Sequence, residues 1–362
     1  MTAASAGTGT LYAGEIDVKV SASASQVYDD NITYAQRDAQ SDFVTRLSPE
    51  VRLSYENGRT QASLSADLSH EVYWRYSDND HTSEHAKVDL LHQLSKNDSI
   101  RVTDRFSHSY EPAAFDEQLA RVGGRYSYYK NSFDISYFKE FSRDWRFNFG
   151  YGYDVDTTNR ADLLDSEVHR VTLGADYILS SRDRVLGKYD FLHRTLDPGG
   201  DANIHSLSLG ERHNFSEKLS IEGFAGVDMI ESYNGESIVK PLWTVMLSNR
   251  ITDRTSASLS FTQRYSTNPY TSDVFNSWRV SGEIGSQILK KLRGSASLFY
   301  ARGEYDSLDL KDEFVGAGVA LNYELRKDLT GSVSYNYSQS MSNVETREYE
   351  KNVLSFGISS EF

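Results

Sequence analysis

Segment after segment of this chain alternates apolar and polar side chains with a period of two. Ile16, Val18, Val20, Ala22 and Ala24 are interleaved with Asp17, Lys19, Ser21, Ser23 and Ser25. Phe43, Thr45, Leu47, Pro49, Val51, Leu53 and Tyr55 alternate with Arg46, Ser48, Glu50, Arg52 and Ser54. The last segment sets Leu354, Phe356, Ile358 and Phe362 against Ser355, Gly357, Ser359 and Glu361. Only a β-strand sends successive side chains to opposite faces, so each segment reads as a strand with one apolar and one polar face.

The connectors alternate as well. Tight polar turns at Asn57-Gly58, 95–98, 142–144, 180–183, 216–218, 252–254, 289–291 and 326–328 take turns with longer acidic or glycine-containing loops. Those loops fall near 27–41, 77–83, 110–123, 156–167, 194–203, 231–237, 266–276, 302–312 and 339–350. The count gives about 18 strands of roughly 10–14 residues, with both termini on the short-turn side. A soluble antiparallel sandwich also alternates, but its strands usually run about 5–6 residues. A run of hairpins also leaves no place for a sandwich's Greek-key crossover. Aromatic residues gather at strand ends, among them Tyr73, Trp74 and Tyr76, Phe141 and Trp145, Tyr151 and Tyr153, Trp243, Tyr335 and Tyr337. Such positions suit the aromatic girdles of a membrane barrel.

Composition closes the argument. Hydrophobic residues make up 38% of the chain, and no window approaches the roughly 18–20 consecutive apolar residues of a spanning helix. In lipid every backbone polar group needs an internal partner, so a sheet that spans must close on itself. The expected fold is all-β, a closed antiparallel transmembrane β-barrel filling residues 15–362 as one domain, with Ile16–Ala24 pairing with Leu354–Phe362. Residues 1–14 are rich in small side chains and lack the basic and apolar regions of a complete secretory signal. They read as a signal remnant or as a disordered leader. The absence of cysteine excludes a disulfide scaffold, a thiolate zinc site and a cysteine nucleophile. A net charge of −14 argues against a nucleic-acid partner.

Four residues resist the pattern. Asp104 and Glu211 fall on the apolar side of their strands, which calls for a bulge, an interfacial position or protonation. Pro49 and Pro241 each remove a ladder hydrogen bond and suggest bulges.

The terminal segment Ser355–Phe362 (SFGISSEF) resembles the C-terminal strand signal by which bacterial outer-membrane proteins are recognised by the barrel-assembly machinery. Tyr28–Thr33 (YDDNIT) and Ser41–Glu56 (SDFVTRLSPEVRLSYE), followed by a short turn and an alternating strand, resemble the putative β-barrel porin type 2 family. That resemblance covers about the first 75 residues closely, the remainder matching as a generic barrel. It implies an outer-membrane barrel of a Gram-negative bacterium, associated with exopolysaccharide synthesis, export and exosortase systems. The implied partners are outer-membrane lipid and lipopolysaccharide, a polysaccharide chain and periplasmic export components. The family supplies no catalytic motif to carry over.

If the apolar face meets lipid, the other face lines a pore. The expected lining includes the cations Arg46, Arg52, Arg75, Arg101, Arg105, Arg146 and Arg170, continuing with Arg212, Arg264, Arg279 and Arg293. Glu71, Asp134, Asp176 and Glu283 are the acids among them. The signs nearly balance across the whole polar face, which suits a hydrated wall of cross-strand pairs better than a steep ion filter. Tyr73, Phe138, Phe224, Phe299 and Phe314 share that face. No connector exceeds about 15 residues, so no long infolded loop is expected in a lumen too wide for side chains to fill. The expected function is export of an extracellular polysaccharide, with a diffusion or sugar-uptake porin as the alternative. Acidic residues in the loops, including Asp29, Asp30, Asp306, Asp309 and Asp312, read as a solvated rim. No enzyme, metal or cofactor site is expected: the HxxEH run of His81, Glu84 and His85 lies at a loop–strand junction, where it cannot present both imidazoles on one helical face.

Overall fold

The computed structural model describes residues 14–110, 125–161, 163–233, 235–267, 274–305 and 309–362. Residues 1–13 of the expected leader lie outside them. The first six strands are β1 (Glu15–Asp29), β2 (Asp42–Glu56), β3 (Thr60–Tyr73), β4 (His81–Gln93), β5 (Asp98–Ser109) and β6 (Tyr128–Glu140). Next come β7 (Trp145–Thr158), β8 (Asp165–Ile178), β9 (Asp183–Asp197), β10 (Asp201–Asn214), β11 (Leu219–Glu231) and β12 (Ser237–Thr252). The last are β13 (Thr255–Thr267), β14 (Val274–Leu289), β15 (Leu292–Tyr305), β16 (Lys311–Arg326), β17 (Leu329–Ser342) and β18 (Tyr349–Glu361). Each pairs antiparallel with its sequence neighbours, and β1 pairs with β18, so the 18-stranded sheet closes into a barrel.

Several short turns share one local device. A hydroxyl at the first turn position accepts a main-chain N–H two or three residues on: Ser142 Oγ from Trp145 N at 3.1 Å, Ser180 Oγ from Asp183 N at 3.0 Å, Ser216 Oγ from Leu219 N at 3.1 Å. Asn57 Oδ1 does the same for Thr60 N at 2.7 Å. A side chain that stands in for a ladder acceptor lets the chain reverse within a few residues.

Closure differs from expectation in its register. Ser21–Asp29 pair with Val353–Glu361, running from Ser21↔Glu361 to Asp29↔Val353, and Glu15–Lys19 pair with β2 alone, while Val20 O also accepts the N–H of Phe362 at 2.8 Å. The cause is stagger. Strands of a closed barrel tilt, so the first and last meet out of step rather than end to end.

Neither proline makes a bulge. The β2–β3 ladder skips Ser48 and Pro49 and resumes unshifted at Glu50↔Asp67. Pro241 keeps its place opposite Val227 on β11, while the β12–β13 ladder stops at Trp243↔Gln263. Asp104 and Glu211 also stay in register and face outward. Asp104 is satisfied by Asn131, whose Nδ2 donates to Oδ1 at 2.6 Å. Glu211 lies near the short-turn end of β10, beside Asp183 and His213. Replacing both Asp104 and Asn131 by Leu should raise the unfolding free energy by up to about 2 kcal/mol, because an outward acid in mid-wall costs less than the roughly 2–4 kcal/mol of a base. Urea unfolding in vesicles measures it.

Apolar side chains cover the outward face: Leu207, Leu209, Leu298 and Ile358 are all more than half exposed on the isolated chain. Trp145 and Tyr177, 4.9 Å apart, stand at its short-turn edge. Buried side chains gather on the inward face toward the long-loop end. Ile32 and Leu310 from loops, and Val44, Tyr73, Ile204, Ile230 and Phe314 from strand ends, are each under 10% exposed. The described side chains thus pack together at that end of a lumen expected to be too wide for side chains to fill. Among the described residues this packing involves strand ends as well as loops: Val274 of β14 packs with Ile204 of β10 and Ile230 of β11.

Candidate functional site: the charged inward wall

Register fixes which expected residues share the inward face. Arg46, Arg52, Glu71, Arg101, Arg105, Asp134, Arg146, Arg170 and Asp176 stand in the row parity opposite the exposed apolar residues. Arg212, Arg264, Arg279, Glu283 and Arg293 do likewise. Arg75 does not. β3 ends at Tyr73, whose N–H is taken by Asp80 Oδ1 at 2.7 Å, and Arg75 lies exposed in the following loop. Its main-chain N–H bonds the buried Asp42 carboxylate at 3.0 Å. Two aspartates thus stop the strand that alternation alone would extend.

The wall has two halves. From β4 to β10 it is laced with ion pairs. Arg170 on β8 bonds Asp134 on β6 at 3.1 Å and reaches Asp154 on β7 at 3.5 Å, while Arg105 on β5 approaches Asp134 from the other side at 3.7 Å. Arg101 faces Asp89 at 3.9 Å, Lys188 faces Asp190 at 2.9 Å and Arg212 faces Glu222 at 3.8 Å. Nearer the long-loop end Arg46 bonds the buried Glu71 at 2.6 Å, with His81 Nε2 at 3.7 Å and Arg125 at 3.9 Å. From β13 to β18 the inward positions are mostly small or hydroxylic, as in Ser256, Ser258, Ser260, Ser295, Ser297, Ser332 and Ser334. Arg264, Arg279, Glu283, Arg293 and Glu324 are among the charges that interrupt it. Beside this half, toward the short turns, opens a cavity of about 870 Å³ lined by Arg212, Arg250, Ser258, Glu283, Ser297 and Asn336 among others.

A glycine makes the bridge across β7 possible. Arg170 crosses β7 over Gly152, where an added Cβ would lie 2.8 Å from Arg170 Nη2 and 2.9 Å from Asp134 Oδ1. Gly152→Val should break the Arg170–Asp134 contact without deleting a charge, and salt-gradient reversal potentials should then move toward those of Arg170→Ala. The sequence offered no signal for this residue, because its role depends on the register that sets it between Asp134 and Arg170.

The inward aromatics divide. Phe299 and Phe314 are buried and stacked with centroids 5.4 Å apart, and Tyr73 is buried beneath Arg125. Phe138, 43% exposed, remains accessible. Two acids expected at the rim are inward and paired: Asp312 with Arg347 at 2.6 Å, and Asp29 with Lys351 at 2.7 Å. Asp306 lies outside the described residues. In the HxxEH run, His81 and His85 face inward while Glu84 faces out. Among the described residues Asp183, Glu211 and His213 bring metal-ligating atoms within 4.8 Å. Asp183 Oδ1 and His213 Nδ1 are already bonded to each other at 2.5 Å, so the trio is not a preformed cation site.

A closed barrel with an apolar outward belt, aromatic edges and a charged inward wall defines an outer-membrane porin-type barrel of the Gram-negative envelope. Residues 247–362 match the family model described as putative beta-barrel porin 2. The match spans β13 to β18 and the lower part of β12, whereas the motifs quoted above lie in the N-terminal third. Among solved structures, the siderophore receptor PirA from Pseudomonas aeruginosa superposes with a TM-score of 0.51 at 9% identity, covering 95% of this chain and 80% of that one. OccK2 (OpdF) of the same organism, solved in complex with glucuronate, gives 0.51 at 11% identity over 96% and 98% of the two chains. OpdK with vanillate, also from P. aeruginosa, gives 0.50 at 10% identity over 96% and 98%. At such identity the likeness is one of fold. No curated protein matches the sequence.

Proposed function

We propose that the chain is a passive diffusion or uptake porin for small hydrated solutes. One observation carries the reading: the charged wall and open cavity lie on the short-turn side of a long-loop end whose inward side chains are buried. Export of a polymer requires a continuous wide bore, and the packing of Val274 on Ile204 and Ile230 favours the uptake alternative over it. A wall whose charges are already paired offers hydrogen bonds to a solute without holding it by a single strong charge. OccK2 with glucuronate and OpdK with vanillate suggest small carboxylates as the first solutes to try. On this reading the chain performs no chemical step, its girdled outward face meets lipid and lipopolysaccharide, and β18 with Phe362 is presented to the barrel-assembly machinery.

Liposome swelling with sugars and carboxylates of increasing size tests the proposal, alongside surface polysaccharide in a deletion strain. Uptake that falls off with solute size, with polysaccharide unchanged, is expected. Lost polysaccharide together with impermeable liposomes would overturn it in favour of export.

A further inference from the structure

We infer that the long-loop ends of β13 and β14 form the size-limiting constriction of the channel, and that Asp228 is the residue that positions them. The inference rests on the porin reading above.

The wall is unzipped at one seam. The β11–β12 ladder continues to Glu231↔Ser237 and the β13–β14 ladder to Thr267↔Val274, but β12 and β13 part above Trp243↔Gln263. Continuing that register would set Tyr265 opposite Pro241, which has no N–H to donate. Released there, β13 turns inward across β11 and β10. Arg264 Nη2 comes within 3.5 Å of Ser206 Oγ on β10, and Val274, only 2% exposed, is buried against Ile204 and Ile230.

Asp228 replaces the lost ladder partner. It projects from the inward face of β11 and is fully buried. Its Oδ2 accepts the main-chain N–H of Tyr265 at 3.2 Å, and its Oδ1 accepts Ser206 Oγ at 2.5 Å. Arg264 Nη2 stands 3.8 Å away and balances the charge. A buried carboxylate that accepts a backbone N–H fixes that backbone firmly, since leaving either group unmatched away from water is costly. The contact therefore holds a pair of strand ends off the wall and inside the bore.

Single-channel recording in planar bilayers tests this with three proteins. Asp228→Ala should let the strand ends return toward the wall, raising open-channel conductance about twofold or more and admitting larger polyethylene glycols, because conduction follows the narrowest section. Asp228→Asn keeps an acceptor oxygen for Tyr265 and should restore most of the wild-type behaviour. The chain has no cysteine, so Ile230→Cys with Val274→Cys creates a single possible disulfide. Oxidation should lock the constriction and abolish the effect of Asp228→Ala, and reduction should bring it back. Wild-type conductance and exclusion size in Asp228→Ala, or a cysteine pair that never cross-links in folded barrels, overturns the inference. The cross-link test stands if Asp228→Ala does not assemble. A wild-type barrel that conducts nothing counts against the porin reading, whereas the cross-link reports the inward packing independently.

Discussion

Lys351→Met is expected to cost about 3 kcal/mol of unfolding free energy, the lower end of the range for removing one partner of a buried ion pair. Lys351 and Asp29 are 5% and 7% exposed, and Nζ lies 2.7 Å from Oδ2. The ammonium also sits 3.8 Å from the centroid of the Tyr34 ring. The pair bridges β18 to β1, so it acts on closure itself. Asp29 keeps the N–H of Asn31 at 3.0 Å, which moderates the loss. Lys351→Met combined with Asp29→Asn should recover most of the stability, since removing both charges leaves none buried alone. Urea unfolding in vesicles, followed by tryptophan fluorescence, measures both variants against the wild type. A double variant as unstable as the single would mean that packing of the lysine stem matters more than the charge pair.

The second large effect is expected in ion selectivity. Arg170→Ala leaves Asp134 and Asp154 facing the lumen without the guanidinium that bridges them, so the channel should shift toward cations. Asp134→Asn should shift it the other way, removing the acid that Arg105 approaches and leaving Arg170 with Asp154 alone. Both shifts should be large at about 0.01 M salt, where the screening length is roughly 30 Å, and small at about 1 M, where it is roughly 3 Å. Replacing Arg101 and Arg105 together by Ala removes wall volume as well as charge, so single-channel conductance should change at every salt concentration. Reversal potentials across a salt gradient separate these cases, and equal shifts for Arg170→Ala and Asp134→Asn would contradict the pairing.

Alternation and turn chemistry are local, and both were legible. Each strand carries its own two-faced pattern, and most short turns their own hydroxyl or Asn57, so strand number and facing could be read without a partner strand. What could not be read depends on three dimensions. The meeting of Ser21 with Glu361 follows from tilt, which no single segment encodes. Arg75 continues the alternation of β3, and only the carboxylates of Asp42 and Asp80, distant in sequence from one another, end the strand before it. Asp29 and Asp312 look like loop charges until Lys351 and Arg347 are seen against them. Pro241 did announce an irregularity, but its result is a released neighbour rather than a bulge in its own strand.

Tilt also decides how the wall charges are arranged in depth. Pair by pair from Asp17, near the start of β1, the path runs through Ser54, Ser63, Asp89, Thr103 and Asp134. It continues through Gly152, Arg170, Leu192 and Ile204 to Ile230, one residue from the far end of β11. Neighbours along the ladder thus climb like the thread of a screw. Asp89, Asp134 and Arg170 belong to a helical ramp, not a collar at one height, and they stand at successive depths along the axis.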